Sequence, residues 1–150
     1  NFKNYLLKKF KEKINENRII ILNYEEDKKS HLKQYYNIDL GLDTFPYNGV
    51  TTTFESVLMG VPVLTIKGFN FNSRCGESIN KNLKLENFIA KNYDDYYLKA
   101  LDLYKNINYL KSLRKELRNK AISSPLFDNK NFALKFSESI KIIWENFIKG

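Results

Sequence analysis

The chain has 150 residues, of which 43% are hydrophobic and 15% aromatic, which is enough apolar mass for one folded domain and argues against a disordered segment. Its net charge is +8, from 25 Lys and Arg against 17 Asp and Glu. With one cysteine and one histidine, the sequence excludes an internal disulfide and a structural zinc site of the usual composition.

Hydrophobic periodicity predicts helices that alternate with short buried strands. Apolar side chains spaced by three or four residues indicate helices, whereas short continuous apolar runs indicate strands buried in a parallel sheet. The predicted elements, in chain order, are a helix over 2–16, a strand over 19–22, a helix over 25–36, a strand over 38–43, a helix over 51–59, a strand over 61–66, a helix over 73–83, a strand over 86–90 and helices over 94–105, 107–120 and 129–148. Gly60 is expected to end the helix before the third strand, because glycine accepts positive φ without strain.

This alternation predicts βαβ units and therefore an α/β fold, a Rossmann-like parallel sheet of about four strands with flanking helices. The sequence has no repeat and no flexible linker, so residues 1–150 are expected to form a single domain. Because the chain begins within a helical pattern and without an initiator Met, we expect it to be truncated, with at least one strand upstream of Asn1. The apolar stripe over 132–147 is expected to pack in the core, and Cys75 to be a small buried side chain.

The segment after the second predicted strand is the first place to look for a ligand, because open α/β sheets bind ligands at the carboxyl ends of their strands. Asn48-Gly49 allows close backbone approach, and three threonines, 51–53, then open a helix. The unpaired amides of a helix start favour phosphate, and the first two threonine hydroxyls add donors. Glu55 is placed one turn along, where it can accept both hydroxyls of a ribose. The structural alternative is a capping box, in which Glu55 bonds back to the Thr52 amide.

Five blocks of sequence, in order and covering nearly the whole chain, carry a family resemblance. They are Arg18-Ile19-Ile20-Ile21 with His31-Leu32, the long block from Leu42 to Thr65 that contains Leu-Asp-Thr-Phe-Pro-Tyr-Asn-Gly, Ser73-Arg74, Leu85 to Ala90, and Ile122 to Asp128. Together they resemble the O-GlcNAc transferase/SPINDLY family of glycosyltransferases. The resemblance implies the C-terminal domain of a GT-B glycosyltransferase, whose Rossmann-like domain holds a UDP-sugar such as UDP-GlcNAc.

Carried over residue by residue, the resemblance implies specific contacts with the donor. It assigns the donor diphosphate to Asn48, Gly49, Val50, Thr51, Thr52 and Thr53, the ribose to Glu55, and the uridine to His31 and Lys28. Some family members have a histidine at the position of Val50. Unlike histidine, the valine side chain cannot donate a hydrogen bond. A lone histidine is more often a solvated surface residue. Arg74 fits a phosphate contact, a helix cap or a loop brace.

The function implied by the resemblance is an inverting transfer of a sugar onto Ser/Thr hydroxyls of proteins. No catalytic residue is expected within this chain, which is expected to be inactive alone, and no metal or other cofactor is expected. The implied partners are an N-terminal catalytic domain and tetratricopeptide repeats of the same protein, and a protein acceptor. Other donors, a UDP-hexose or GDP-fucose, stay open, as does a non-catalytic nucleotide-binding module or gene remnant.

The positive charge also admits a nucleic-acid-binding domain, an alternative from another class. Only four of the 25 basic residues are arginine, and the lysines are spread along the chain without a clustered stripe. A solvated basic surface is therefore the preferred interpretation, and no nucleic-acid partner is expected. No apolar run approaches the length of a membrane span, and no signal peptide is visible, so we expect no membrane association and a cytoplasmic location.

Overall fold

The computed structural model describes residues 2–10 and 13–150. The chain divides into two compact units, Asn1–His31 and Leu32–Gly150. The first unit contains helix α1 (Phe2–Phe10), a 3-10 turn at Glu16–Arg18 and the start of helix α2 (Lys28–Lys33). Of the helix expected over 2–16, the structure describes α1 over Phe2–Phe10; residues 11 and 12 lie outside the described residues, and residues 13–16 are not α-helical.

The strand expected over 19–22 is wrong. No described residue forms a ladder with this segment, and Ile20, Ile21 and Leu22 are 78%, 54% and 55% exposed. An apolar run indicates that a segment is suited to burial, but a strand also needs a hydrogen-bonded neighbour for its backbone groups. That neighbour is a property of the fold, which the run of apolar residues does not encode.

The second unit is built on a parallel sheet, as predicted. Strands β1 (Gly41–Leu42), β2 (Val63–Ile66) and β3 (Ile89–Ala90) lie in the order β1-β2-β3, and both pairs are parallel. Gly41 pairs with Val63, and Thr65 pairs with Ile89. The described residues form three strands rather than about four, and each is shorter than predicted. A 3-10 turn, Glu86–Phe88, replaces the start of the strand expected over 86–90.

Five helices accompany the sheet, and their order matches the prediction. They are α3 (Thr51–Leu58), α4 (Cys75–Asn82), α5 (Tyr93–Lys105), α6 (Ile107–Ile122) and α7 (Asn129–Ile148). Side-chain caps fix several starts: Asn92 accepts from the Asp95 amide, and Asp128 accepts from the Asn131 amide. None of the described helices is both long enough and apolar enough to cross a membrane.

The core of this unit surrounds β2, all of whose residues are buried. Leu64 from β2 packs in one cluster with Leu83, Phe88 and Leu117, which are fully buried. Helices α3 and α6 contribute Val57 and other apolar side chains to the same cluster. The central strand is therefore held on both faces, and the loops at its carboxyl end extend from a rigid base.

The last helix corrects the expectation of a core stripe over 132–147. Phe132, Phe136, Ile140, Ile143 and Phe147 are between 50% and 76% exposed, and α7 has no buried residue. Helical periodicity identifies an apolar face, but it does not identify what covers that face. Cys75 was likewise expected to be buried, and the structure places it in an intermediate environment.

Gly60 ends α3 as predicted, with φ +80, and a Cβ there would lie 2.8 Å from the Arg114 carbonyl oxygen. We expect Gly60→Ala to lower the free energy of unfolding by about 1–2 kcal/mol, because alanine is strained at positive φ. Urea unfolding followed by circular dichroism measures the loss. Gly60→Asn tolerates the φ angle but keeps the clash, so it separates the two causes. Wild-type stability of both variants would contradict the expectation.

Candidate functional site

The loop between β1 and α3 occupies the carboxyl end of the parallel sheet. β1 ends at Leu42, residues 43–50 form the loop, and α3 starts at Thr51. The loop is held to its neighbours by backbone bonds: the Asp43 amide donates to the Leu64 carbonyl at 2.9 Å, and the Asn48 amide donates to the Asn72 carbonyl at 3.0 Å. The helix start predicted to bind an anion therefore lies where ligands of open α/β sheets bind.

Asp43 is the first residue of this loop, and its carboxylate bonds to three groups. Oδ1 accepts from the Gly49 amide at 2.8 Å and from the Thr44 amide at 2.9 Å, and Oδ2 accepts from the Thr65 hydroxyl at 2.8 Å. Burial raises the pKa of Asp43, although these three hydrogen bonds act in the opposite direction. The prediction from sequence missed this residue as part of the site, because its partners lie up to 22 positions away.

The start of α3 has no side-chain cap. Val50 occupies the N-cap position, and Thr51 and Thr52 are exposed. Thr53 is 2% exposed, and its hydroxyl donates to the Gly49 carbonyl at 2.7 Å. The capping-box alternative placed the N-cap at Thr52, but the helix begins before that residue. The start of α3 therefore combines an uncapped first turn with two exposed threonines, a combination that suits an anion.

Asn48 is 1% exposed, and its side chain forms hydrogen bonds within the protein. Its Nδ2 donates to the Thr44 carbonyl at 3.0 Å, and its Oδ1 accepts from the Gly76 amide at 3.3 Å. Both ends of the amide are thus occupied by the protein. Of the six residues predicted to surround the diphosphate, Asn48 and Thr53 use their side chains to hold the loop, while Val50, Thr51 and Thr52 are exposed and Gly49 is half-buried.

Glu55 lies one turn into α3 and is half-buried. A nearby residue not predicted from the sequence is Tyr35, whose hydroxyl donates to the Thr52 carbonyl at 3.4 Å. Burial and the negative charge of Glu55 both raise the pKa of Tyr35. Tyr35, Asp43, Gly49 and Thr52 line one cavity of about 210 Å³. No local pattern marks Tyr35, because its contact with α3 spans 17 residues.

The two residues predicted to contact uridine lie on α2. Lys28 and His31 are three positions apart, so they share one face of the helix. The His31 amide donates to the Asp27 carbonyl at 3.0 Å, and the Asp27 carboxylate accepts from the Ser30 amide at 2.8 Å. The helix start over 27–31 is thus well defined, and the contact of Lys28 and His31 with a base stays a prediction.

A buried carboxylate on α4 gathers three cations. Glu77 is 3% exposed, and it bonds to Lys81 at 2.8 Å, to Arg74 at 2.9 Å and to Lys67 at 3.6 Å. Arg74 was expected to contact phosphate, to cap a helix or to brace a loop. It occupies the N-cap position of α4 without a side-chain cap bond and pairs with Glu77, and a phosphate contact stays a prediction. Within the described residues, no group of three His, Cys, Asp or Glu side chains could hold a metal ion. The expectation of a cofactor-free reaction stays a prediction.

Comparison with known proteins identifies the family. The model of Glycosyl transferase family 41 matches residues 3–136. The chain is 36% identical over 132 residues to the probable UDP-N-acetylglucosamine–peptide N-acetylglucosaminyltransferase SPINDLY of Solanum lycopersicum. This match covers 88% of the chain and 14% of the Solanum protein. The SPINDLY protein of Hordeum vulgare is 38% identical over 120 residues, which are 80% of this chain and 13% of that protein. The chain belongs to glycosyltransferase family 41.

The fold agrees with this assignment. A mutant O-GlcNAc transferase from Thermobaculum terrenum superposes with a TM-score of 0.85 at 27% identity, over 96% of this chain and 28% of that one. The three parallel strands and their helices are those of the C-terminal domain of a GT-B glycosyltransferase. The chain thus spans about a seventh of the matched SPINDLY proteins and under a third of the matched structure.

Proposed function

We propose that the chain is the nucleotide-sugar-binding part of an inverting glycosyltransferase that transfers GlcNAc from UDP-GlcNAc to Ser/Thr hydroxyls of proteins. The observation that carries the proposal is the start of α3, which lacks a side-chain cap and presents Thr51 and Thr52 at the carboxyl end of β1. The names of the relatives, which specify a UDP-GlcNAc donor and a peptide acceptor, support the choice of substrates.

In this proposal the chain binds the leaving group. The amides at the start of α3 and the hydroxyls of Thr51 and Thr52 bind the diphosphate, and Glu55 accepts the ribose hydroxyls. Lys28 and His31 contact the uracil. As the acceptor oxygen bonds to the anomeric carbon from the opposite face, the bond to the diphosphate oxygen breaks and its electron pair stays on UDP. Amides already oriented toward that charge stabilise it without reorganisation, which lowers the barrier.

The proposal places the remaining machinery outside these 150 residues. A base that accepts the proton of the acceptor hydroxyl belongs to an N-terminal catalytic domain of the same polypeptide, and tetratricopeptide repeats are its further partner. The reaction needs no metal, because helix amides and cationic side chains neutralise the diphosphate. We place the protein in the cytoplasm. This chain alone is then a binding domain without transferase activity.

Calorimetric titration of UDP into the natural polypeptide that contains this chain tests the site. Thr52→Val removes one hydroxyl donor and is expected to weaken binding about 3- to 10-fold, the equivalent of one neutral hydrogen bond. Glu55→Ala removes a charged acceptor of two hydroxyls and is expected to weaken binding about 10- to 100-fold. Glu138→Ala, an exposed carboxylate on α7, is the matched control. Equal affinities for all four proteins would refute the site.

Donor identity is tested separately from the site. UDP-GlcNAc, UDP-glucose and GDP-fucose are titrated into the same protein, and each is then supplied in a transfer assay with a Ser/Thr-containing acceptor protein. We expect preference for UDP-GlcNAc and product that depends on it. Tight UDP binding without transfer from any donor would favour the non-catalytic nucleotide-binding module.

A further inference from the structure

We propose that Asp43 is a positioning residue of the diphosphate site. Its carboxylate accepts hydrogen bonds from both ends of the loop 44–49. The closed loop then fixes the position of the first amides of α3, which bind the phosphate. The inference rests on the proposed function, since it concerns the same ligand. Asp43 touches no substrate in this proposal, and it acts through Gly49 and the threonines that follow.

One oxygen of the carboxylate joins the two ends of the loop. Oδ1 accepts from the Thr44 amide at the beginning and from the Gly49 amide at the end, at 2.9 and 2.8 Å. Gly49 is the last residue before the N-cap of α3. Without this shared acceptor, the part-buried Gly49 amide and the exposed Thr44 amide would both lose their partner, and the bond between Asn48 and the Thr44 carbonyl would be left to close the loop.

The other oxygen is tied to the centre of the sheet. Oδ2 accepts from the hydroxyl of Thr65, which lies on β2 and is fully buried. Gly76 of α4 closes this space, because a Cβ there would lie 2.4 Å from the Thr65 hydroxyl oxygen and 2.8 Å from Oδ2. The Tyr96 hydroxyl also donates to the Asp43 carbonyl at 3.1 Å. The carboxylate of Asp43 is therefore enclosed by β2 and α4, and its backbone is held by Tyr96 of α5.

Gly49 transmits this position to the helix start. Its carbonyl accepts from the Thr53 hydroxyl at 2.7 Å, and a Cβ at Gly49 would lie 2.4 Å from the Thr52 hydroxyl oxygen. A continuous set of contacts thus runs from Thr65 through Asp43 and Gly49 to the first turn of α3. Such support strengthens binding, because a loop that is already ordered loses less conformational entropy when phosphate binds.

The negative charge of Asp43 is not what the site uses, because a carboxylate near a diphosphate repels it. The useful property is an acceptor oxygen in a fixed place. Asparagine keeps that oxygen for the Thr44 and Gly49 amides and can donate from its Nδ2 to the Thr65 hydroxyl. The positioning role therefore predicts that Asp43→Asn retains the site and that Asp43→Ala loses it.

Calorimetry with UDP and with uridine, on the natural polypeptide that contains this chain, tests the role. Asp43→Ala is expected to weaken UDP binding about 10- to 100-fold, from the loss of three hydrogen bonds to a charged acceptor, and to leave uridine affinity within about twofold. Asp43→Asn is expected to stay within about threefold of wild type for both ligands. Asp39→Ala, an exposed aspartate four residues earlier, is the control for loss of a negative charge. GDP and guanosine replace the uracil ligands if the wild type prefers guanine.

The outcomes separate this role from the proposed function. Equal losses for UDP and uridine in Asp43→Ala would show a general structural defect and overturn the positioning role alone, as would unchanged UDP affinity. Should Asp43→Ala fail to fold, Thr65→Val takes its place, since it removes the donor to Oδ2 and is expected to weaken UDP binding about 3- to 10-fold with uridine unaffected. A wild type that binds UDP no better than uridine would overturn both proposals.

Discussion

Phe88→Ala is expected to lower the free energy of unfolding by about 3–5 kcal/mol. Phe88 is fully buried at the end of the 3-10 turn that leads into β3. It belongs to the central cluster with Leu64 and Leu83, and its ring stacks on Tyr109 with centroids 6.3 Å apart. Alanine would leave a cavity that surrounding helices cannot close fully, so lost burial and lost packing add together.

Urea unfolding followed by circular dichroism measures this loss, with Phe71→Ala as the matched control. Phe71 is 84% exposed, so its truncation is expected to change the unfolding free energy by less than about 0.5 kcal/mol. The same chemical change is thus made at a buried and an exposed site. Similar losses for the two variants would show that Phe88 is not in a packed core.

The order of the elements could be predicted from the sequence for a local reason. Helix periodicity and buried apolar runs are read within a few residues, and α3 through α7 follow the predicted order. Gly60 was predicted to end α3 because backbone chemistry of this kind acts within a few positions. The caps at Asn92 and Asp128 act over three positions, although they were not predicted. The connection from β1 to α3 then follows from the general location of ligands in parallel sheets.

Two errors have one physical cause. Residues 19–22 and the apolar face of α7 both carry patterns suited to burial, yet both are exposed in the described structure. A pattern of apolar residues indicates that burial of a segment would be favourable, but it does not show which surface would cover the segment. Strand pairing and helix docking are decided by distant parts of a protein, so neither is available from a local window.

Within the candidate site, the sequence alone could not show which of the three threonines, 51–53, are exposed and which bond within the protein. Thr51 and Thr52 are exposed, whereas the hydroxyl of Thr53 serves Gly49 inside the loop. Asn48 bonds to Gly76 across 28 positions, and Asp43 bonds to Thr65 across 22. These contacts are set by how β1, β2 and α4 meet. The motif therefore predicts where a phosphate would bind, and the packing of three elements determines which of its side chains remain accessible.

The ion cluster around Glu77 gives a prediction that depends on pH. Burial acts to raise the pKa of Glu77, but hydrogen bonds from Lys81 and Arg74 and the charges of Arg74 and Lys67 outweigh it and lower the pKa below its ordinary value. The folded state therefore binds the proton less readily than the unfolded state does. The stabilisation is fully present above the unfolded pKa of about 4.3 and is lost as pH falls through the lower, folded value.

Glu77→Gln is accordingly expected to lower the free energy of unfolding by about 2–3 kcal/mol at pH 7, because two charge-assisted hydrogen bonds are weakened. The loss is limited because the half-exposed cations, Arg74 and Lys81, regain water. The measurement is the free energy of unfolding in urea for wild type and variant at pH 7, 5, 4 and 3. The difference should hold between pH 7 and 5, begin to shrink near pH 4.3, where Glu77 takes up its proton in the unfolded chain, and be lost once pH falls below the lower pKa of the folded state. Glu116→Gln, an exposed glutamate on α6, controls for general loss of negative charge. A difference that stays constant down to pH 3 would mean that the three cations do not stabilise the ionised carboxylate, and α4 would then be held by packing alone.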